Sequence, residues 1–192
     1  MNITIFDFDK TLTNYDTMTA FFMFCVKKKP INLVLLPLYL SFKVLAKLKI
    51  ITVKKEKELS FFILAPKNIY EFKDYCLLFS KSIRLNKIFD IVDNEINLGN
   101  RVIVLSASPE LYLKLVFPFV EVLGTTFIIK KNKIVCIDRH PYGKDKLAAL
   151  YEIGINEFDS FYYDSKADEE LFPICRNSFL VKNGCIVKTN KK

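Results

Sequence analysis

Two aspartates stand one residue apart near the start of the sequence, directly after an apolar run. The run is Ile3–Phe6, and the acids are Asp7 and Asp9. β-Branched and aromatic residues in a short apolar run predict a buried parallel strand, and ligands bind at the ends of such strands. Residues i and i+2 of a strand point the same way, so both carboxyl groups can face one site. Because neighbouring carboxylates repel each other, we expect a divalent cation there, and Mg²⁺ prefers such oxygen ligands.

A second group of polar residues follows another apolar run. Asn100–Leu105 predicts a strand, because it is β-branched and comes after Gly99, which is typical of a helix end. Ser106 comes next, and Ser108 followed by Pro109 is typical of a helix start. A hydroxyl at a strand end, beside the free N–H groups of a helix start, can bind phosphate. A serine in this position can equally be a simple helix cap.

A cation and two further acids occur later in the chain. A predicted helix carries Lys144 and Lys146, and lysines on helices are most often surface charges. Phe161–Tyr163 predicts a short buried strand, after which Asp164 and Asp168 lie four residues apart. Taken alone, these two acids are equally typical of a capped helix that begins near the first of them.

The order of these segments resembles the four motifs of the haloacid dehalogenase superfamily. DFDKTLT is similar to the first motif, DxDxT. LSASPELYL, the G-x-x-K that ends at Lys146, and DSKAD are similar to the second, third and fourth motifs of the phosphoserine-phosphatase-like branch. The resemblance implies that Asp7 is a nucleophile that accepts a phosphoryl group. It also implies that Asp9 is a general acid and base.

The same resemblance implies the remaining roles in the site. Three groups are expected to bind the phosphate oxygens: the Ser106 hydroxyl, the Ala107 N–H and the Lys146 ammonium. Three groups are expected to hold Mg²⁺: the Asp7 carboxylate, the Asp9 main-chain carbonyl and the Asp164 carboxylate. Asp168 would orient Asp164, and Lys144 is the alternative to Lys146 as the phosphate-binding lysine. No role is predicted for His140, the single histidine.

The composition favours a globular protein with anionic partners. Of the 192 residues 51% are hydrophobic, and 29 Lys and Arg against 21 Asp and Glu give a net charge of +8. Phosphate esters, an anionic membrane surface or nucleic acid would match this charge. No nucleic-acid-binding motif occurs, so we do not expect nucleic acid as a partner. The five cysteines form no CxxC pair, which favours free thiols in the cytoplasm over disulfides or a zinc site.

The predicted fold class is α/β, with a Rossmann-like, three-layer parallel sheet as the core. Residues 1–14 and 95–192 are expected to form this core. Residues 15–94 are expected to form a small helical cap inserted after the first strand, because their apolar residues recur at helical spacing. Leu123–Val135 is predicted to be a strand pair with a turn in its KKNK segment. A final hairpin is predicted to turn at Asn183-Gly184.

One segment of the predicted cap is strongly apolar. Pro30–Ile51 has its first lysine at Lys43, and lysines flank it on both sides. Its lysine-free part is too short for a regular transmembrane helix, and Pro37 interrupts it. Two main interpretations remain open: buried helices of the cap, or a surface segment that lies in the interface of an anionic membrane. A spanning helix is the least supported alternative.

The expected function is a Mg²⁺-dependent phosphatase that hydrolyses a phosphate monoester through an aspartyl-phosphate. The cap resembles that of phosphatidylglycerophosphatase C-type members of the branch, so a lipid phosphate at the inner membrane face is an alternative to a soluble ester. Phosphoserine is another alternative, although Asp16 stands where phosphoserine phosphatases have a Glu, and Arg84 is the cap's one arginine. A phosphotransferase, or a non-catalytic protein that binds membranes or nucleic acid, is less well supported.

Overall fold

The computed structural model describes residues 2–191. The strands of this part of the chain are β1 (Ile3–Phe6), β2 (Arg101–Pro109), β3 (Glu121–Thr125), β4 (Phe127–Lys130), β5 (Lys133–Ile137), β6 (Phe158–Tyr163), β7 (Cys175–Lys182) and β8 (Cys185–Lys191). The α-helices are α1 (Thr17–Lys28), α2 (Leu36–Lys47), α3 (Val53–Leu64), α4 (Ile69–Ser80), α5 (Phe89–Asn97), α6 (Glu110–Val116) and α7 (Asp145–Glu152). Two 3-10 helices cover Pro30–Leu35 and Lys166–Ile174.

A six-stranded sheet of order β3-β2-β1-β6-β7-β8 forms the centre of the fold. The first strand of the chain, β1, lies inside the sheet and pairs in parallel with β2 and β6. Strands β3 and β7 extend the parallel arrangement outwards, and β8 closes one edge antiparallel to β7. The predicted α/β fold with a mainly parallel sheet is confirmed.

Side chains alternate between the two faces of the sheet, and each face is buried under helices. On one face, Phe6 and Val104 pack in a hydrophobic cluster with α1, α4 and α6. On the other face, Ile5 and Ile103 pack with Leu150 of α7. The two clusters give the three-layer arrangement that the sequence predicts. They also fix β1 in the sheet, so the residues that follow β1 emerge at one defined edge.

The segment between β1 and β2 is mainly helical, as predicted. Asp16 caps α1 by accepting a hydrogen bond from the Thr19 N–H, and Asn68 caps α4 in the same way. Aromatic contacts join these helices, with Phe21 at 5.8 Å from Phe72 between ring centroids. Helix α5 crosses the predicted boundary between cap and core and packs against β2. The division into core and cap stays a prediction.

Three local predictions need correction. The expected strand pair at Leu123–Val135 is wrong in part, because β3 joins the large sheet beside β2 and the hairpin forms between β4 and β5. Helix α6 begins at Glu110, and Ser108 does not cap it, because the Ser108 hydroxyl donates to Asp9 instead. Asp164 follows β6 and Asp168 lies inside the 3-10 helix Lys166–Ile174, which has no side-chain cap, so the capped helix expected near Asp164 does not form.

Other turns and the thiols agree with the sequence. Asn183 and Gly184 form the hairpin turn between β7 and β8 with φ angles of 50° and 72°. Positive φ at both positions is typical of a type I′ turn, which Asn-Gly favours. All five cysteines are free thiols, as predicted.

The apolar stretch of the cap is not buried. Pro30–Lys47 is one helical stretch among the described residues that is long and apolar enough to cross a membrane, judged by length and composition alone. Only 6% of it is buried, and Tyr39 is its one buried residue. The interpretation of this stretch as buried helices is therefore wrong for the structure.

Candidate active site

The predicted site residues converge where neighbouring parallel strands end. Asp7 follows β1, Ala107 lies near the end of β2, and Asp164 follows β6. Between them is a cavity of about 250 Å³. The residues that line it are Asp7, Asp9, Lys10, Asp16, Met18, Lys57, Ala107, Tyr142, Lys146, Asp164, Ser165 and Asp168. The edge of the sheet that the motifs predict therefore carries a polar cavity.

A buried lysine joins two of the acids. Helix α7 presents Lys146, whose Nζ lies 2.9 Å from Asp7 Oδ1 and 2.6 Å from Asp168 Oδ1. All three side chains are almost inaccessible, with Lys146 3% exposed. Lys144, by contrast, is exposed at the start of the same helix. The structure thus brings Lys146 to the acids and leaves Lys144 outside.

The pKa values of Asp7 and Lys146 are both raised, although the causes differ. Burial raises the pKa of Asp7 well above its usual value; Lys146 lowers it, and Asp168, Asp164 and Asp9 raise it further. Burial by itself lowers the pKa of Lys146, but Asp7 and Asp168 outweigh this effect and raise it. Lys146 therefore stays charged, and it supports the ionised form of Asp7 against burial and the other carboxylates.

Three carboxylates form a group that fits a hard divalent cation. One oxygen each of Asp7, Asp164 and Asp168 lies within 4.8 Å of the others. Burial and the charge of Asp168 raise the pKa of Asp164. Repulsion of this kind is relieved when a cation binds, and carboxylate oxygens are the ligands that Mg²⁺ prefers. The donor set therefore fits Mg²⁺.

Asp168 makes contacts that the sequence did not predict. It pairs with Lys146 and accepts a hydrogen bond at 3.2 Å from the Ser165 hydroxyl. No hydrogen bond links it directly to Asp164 within the described part of the chain. Its predicted role in orienting Asp164 stays a prediction.

Asp9 lies in a nest of hydrogen-bond donors. Its Oδ1 accepts from both the N–H and the hydroxyl of Thr17, each at 2.6 Å. Its Oδ2 accepts from the Ser108 hydroxyl at 2.7 Å and from the Ser106 hydroxyl at 3.4 Å. Burial and the charge of Asp16 raise the pKa of Asp9, although the bonds from Thr17 and Ser108 lower it. A raised pKa is a property that a general acid requires.

The loop at the end of β2 is fixed from both sides. The Ser108 N–H donates to Ser106 Oγ at 3.1 Å, and the Thr125 hydroxyl donates to the Ala107 carbonyl at 2.5 Å. Thr125 Oγ1 also lies 2.8 Å from His140 Nδ1. Because the single hydroxyl hydrogen of Thr125 is already used, His140 must donate through Nδ1. Ser106 is fully buried and is not one of the cavity-lining residues, whereas Ala107 is.

Sequence comparison identifies the family. Residues 4–172 match the family of haloacid dehalogenase-like hydrolases. The chain belongs to this family. The predicted family and the predicted hydrolase class are therefore confirmed. A comparison with curated protein sequences finds no match to this chain.

Solved structures with little sequence identity to this chain share the fold. A protein of unknown function from Bordetella pertussis Tohama I has a TM-score of 0.76 and 16% identity, over 90% of this chain and 86% of its own. A phospho-aspartyl intermediate analogue of phosphoserine phosphatase has a TM-score of 0.65 and 15% identity, over 94% and 87%. A phosphoserine phosphohydrolase-like protein from Francisella tularensis subsp. tularensis SCHU S4 has a TM-score of 0.65 and 17% identity, over 90% of this chain and 82% of its own.

Several side chains at this site are not predicted by the sequence motifs. Thr17 and Ser108 bind Asp9, and the signal for the first was the Asp-Thr pair at the start of α1. Lys57 lies near Asp16 at the cavity, with 4.0 Å between Nζ and Oδ2. Burial raises the pKa of Asp16, but Lys57 and the Thr19 N–H outweigh it, so the pKa is lowered. Arg84 does not line the cavity.

Proposed function

We propose that this haloacid dehalogenase-like protein is a Mg²⁺-dependent phosphatase that hydrolyses a phosphate monoester through an aspartyl-phosphate. One observation carries the proposal. A buried carboxylate, Asp7, has Lys146 on one side and two further acids beside it, and a second carboxylate, Asp9, faces the same cavity. In the proposed reaction Asp7 is the nucleophile, Lys146 stabilises charge, the acids beside Asp7 bind a cation, and Asp9 is the acid–base group.

In the first step, a carboxylate oxygen of Asp7 attacks phosphorus and forms an O–P bond. The bond from phosphorus to the ester oxygen breaks, and the electron pair leaves with that oxygen. Asp9 gives its proton to the leaving oxygen, which departs as an alcohol, and the burial that raises the pKa of Asp9 favours this role as an acid. The hydroxyls of Thr17 and Ser108 fix the Asp9 carboxyl group during this transfer.

In the second step, the aspartyl-phosphate is hydrolysed. A water molecule attacks phosphorus and loses a proton to the Asp9 carboxylate, which is now ionised. The bond from phosphorus to the Asp7 oxygen breaks, which regenerates the Asp7 carboxylate and releases inorganic phosphate. Asp9 therefore finishes the cycle protonated, as it began.

Charge on the phosphoryl oxygens needs fixed positive partners. Lys146 and the Ala107 N–H are available to these oxygens at the cavity, whereas the Ser106 hydroxyl is buried and does not line it. Asp7, Asp164 and the Asp9 carbonyl would hold Mg²⁺, and Asp168 lies close enough to take part. The bound ion would supply further neutralisation of phosphoryl charge.

Two substrate classes are supported by different observations. Lys57 and Asp16 carry opposite charges at the cavity, which suits a small ester with both charges, as phosphoserine has. The exposed apolar stretch Pro30–Lys47 suits a phosphate ester carried by a lipid. The first class is favoured, because its observation lies at the cavity itself.

The test is release of inorganic phosphate from p-nitrophenyl phosphate, phosphoserine and phosphatidylglycerophosphate, with Mg²⁺ and after its chelation. We expect release from at least one ester that requires Mg²⁺, and background release from Asp7→Asn. Asp74→Asn changes an exposed aspartate of α4 and should behave as wild type. Absence of release from every ester by folded protein with Mg²⁺ would overturn the proposal.

A further inference from the structure

Positive charge is concentrated in one part of the chain. Residues 17–55 contain eight lysines and no acidic residue, which is a charge of +8. The whole chain also has a net charge of +8, so the remaining residues sum to zero, with 21 basic and 21 acidic side chains (29 minus 8, against 21). The excess charge of the protein therefore belongs to α1, α2, the start of α3 and the 3-10 helix between the first two.

The same part of the chain exposes an apolar face. Eight large aliphatic side chains within residues 31–50 are 44% to 74% exposed. We call them the apolar face: Ile31, Leu33, Val34, Leu38, Leu40, Val44, Leu48 and Ile50. A contiguous set of exposed aliphatic side chains is unusual for a surface that faces only water.

The geometry of α2 separates this face from the protein interior. Leu40, Val44 and Leu48 are four residues apart and so lie along one side of the helix. The other side contacts the protein, because Tyr39 packs on Phe22 at 5.8 Å between ring centroids. On that side Lys43 also reaches Thr19, with 3.4 Å between Nζ and Oγ1. Helix α2 thus lies along the protein with its apolar side outwards, which is the arrangement of an interfacial helix rather than a spanning one.

Exposed lysines flank the apolar face in the sequence. Lys27 and Lys28 precede the first residue of the apolar face in the sequence. Lys47 and Lys49 lie on either side of its residue Leu48, and Lys54 follows its last residue. All five lysines are exposed. Aliphatic side chains with a border of lysines match a bilayer that offers both an apolar interior and anionic headgroups. A protein partner would match the aliphatic face but would not require a border of five exposed lysines.

We infer that the apolar face docks on the surface of an anionic lipid bilayer. This interaction goes beyond the proposed phosphatase reaction and does not depend on it. Lys43 connects the apolar face to α1, whose residue Met18 lines the cavity, so docking would bring the mouth of the site close to the headgroups. The attraction should weaken as salt screens the lysines.

Cosedimentation with vesicles tests the inference. We expect the wild-type chain to bind vesicles of phosphatidylcholine with 30% phosphatidylglycerol, and to bind pure phosphatidylcholine at least tenfold more weakly. Leu40→Ser/Val44→Ser should lower binding to the anionic vesicles at least tenfold, and Lys47→Gln/Lys49→Gln should do the same. Phe119→Ser, which changes a side chain that is 93% exposed elsewhere, should bind as wild type.

Two further measurements keep this result independent of folding and catalysis. Circular dichroism should show the same thermal unfolding for all these variants, because they change only exposed side chains. Asp7→Asn should bind vesicles as wild type does, so loss of phosphatase activity and loss of docking can be told apart. Equal binding of wild type and Leu40→Ser/Val44→Ser would overturn the inference. So would a stable dimer that those substitutions dissociate and that does not bind vesicles, since a second copy would then cover the face.

Discussion

Lys146 Nζ lies 2.9 Å from Asp7 Oδ1, and the pair is buried at the end of the central strand. The lysine comes from α7, so the contact joins two motifs that are far apart in the chain. A buried cation beside the proposed nucleophile favours its ionised form, against the burial that raises its pKa, and can also bind the phosphoryl oxygens.

Removal of the lysine charge should abolish most of the activity. Lys146→Gln is expected to lower kcat/KM at least a hundredfold, or about 3 kcal/mol, because a fixed electrostatic partner of the transition state is lost. Lys144→Gln is the matched control, since its exposed side chain is two residues away, and it should keep wild-type activity. Phosphate release by both folded variants is the measurement. A large loss in Lys144→Gln with none in Lys146→Gln would reverse the assignment.

Thr17 should support the acid–base role of Asp9. Thr17→Val removes the hydroxyl at 2.6 Å from Asp9 Oδ1 and leaves the main-chain N–H in place. We expect kcat to fall roughly tenfold, since one hydrogen bond to a charged group contributes about 1.5 kcal/mol or more. Steady-state kinetics would check this, with Thr189→Val on the exposed surface of β8 as the control. Unchanged kcat would show that the remaining donors, the Thr17 N–H and the Ser108 hydroxyl, are sufficient to position Asp9.

Mg²⁺ should stabilise the folded protein. A cation that binds Asp7, Asp164 and Asp168 only in the folded state raises the free energy of unfolding by mass action. We expect Tm to rise with Mg²⁺ concentration in wild type, and the rise to be much smaller in Asp164→Asn. Asp74→Asn should respond as wild type. Thermal unfolding by circular dichroism measures this without any substrate, and equal shifts in all three proteins would contradict the metal site.

His140 should make the protein sensitive to acid. Burial, together with the charges of Lys57 and Lys54, lowers the pKa of His140 to about 4. Between that value and about 6.5, the usual pKa, the unfolded chain binds a proton that the folded chain does not. The free energy of unfolding therefore falls as the pH falls through this range, by up to about 3 kcal/mol. The physical cause is that Nε2 is buried without a hydrogen-bond partner in the described structure.

His140→Gln isolates this contribution from that of the aspartates. Asp7, Asp9 and Asp164 have raised pKa values, so their protonation acts in the opposite direction, towards greater stability at low pH. Urea unfolding of wild type and variant at pH 7 and pH 4.5 gives the difference between them. We expect the variant to lose less stability on acidification than wild type. An equal loss in both would rule out His140 as the cause.

The sequence predicted the site because its motifs depend on local rules. An apolar strand followed by acids determines where Asp7 lies, and the sheet order then brings Ala107 and Asp164 to the same edge. Motif spacing predicts that Lys146, not Lys144, is the phosphate-binding lysine, and the structure brings Lys146 to Asp7. Its role, like the roles of the other site residues, stays a prediction.

The contacts that the sequence did not predict depend on three-dimensional packing. Ser108 fits the pattern of a helix cap, but its hydroxyl points to Asp9, which comes from a different strand end. Lys57 of α3 lines the same cavity as residues that follow β1 and β6, although it is distant from them in the sequence. The exposure of α2 could not be predicted from its composition either, because packing against neighbouring elements determines whether an apolar helix is buried or exposed. Local spacing does not contain this information.

The position of β1 in the sheet has a consequence for how the chain is made. The strand is synthesised before the other five strands of its sheet, yet its two neighbours begin to pair only at Arg101 and Ser160. At about 5–20 residues per second, a ribosome needs roughly 10–30 s to reach the second of these. Until β2 is synthesised the strand has no partner in the sheet, and until β6 is synthesised one of its edges stays unpaired. Completion of the nucleophile's surroundings is thus among the last events of folding.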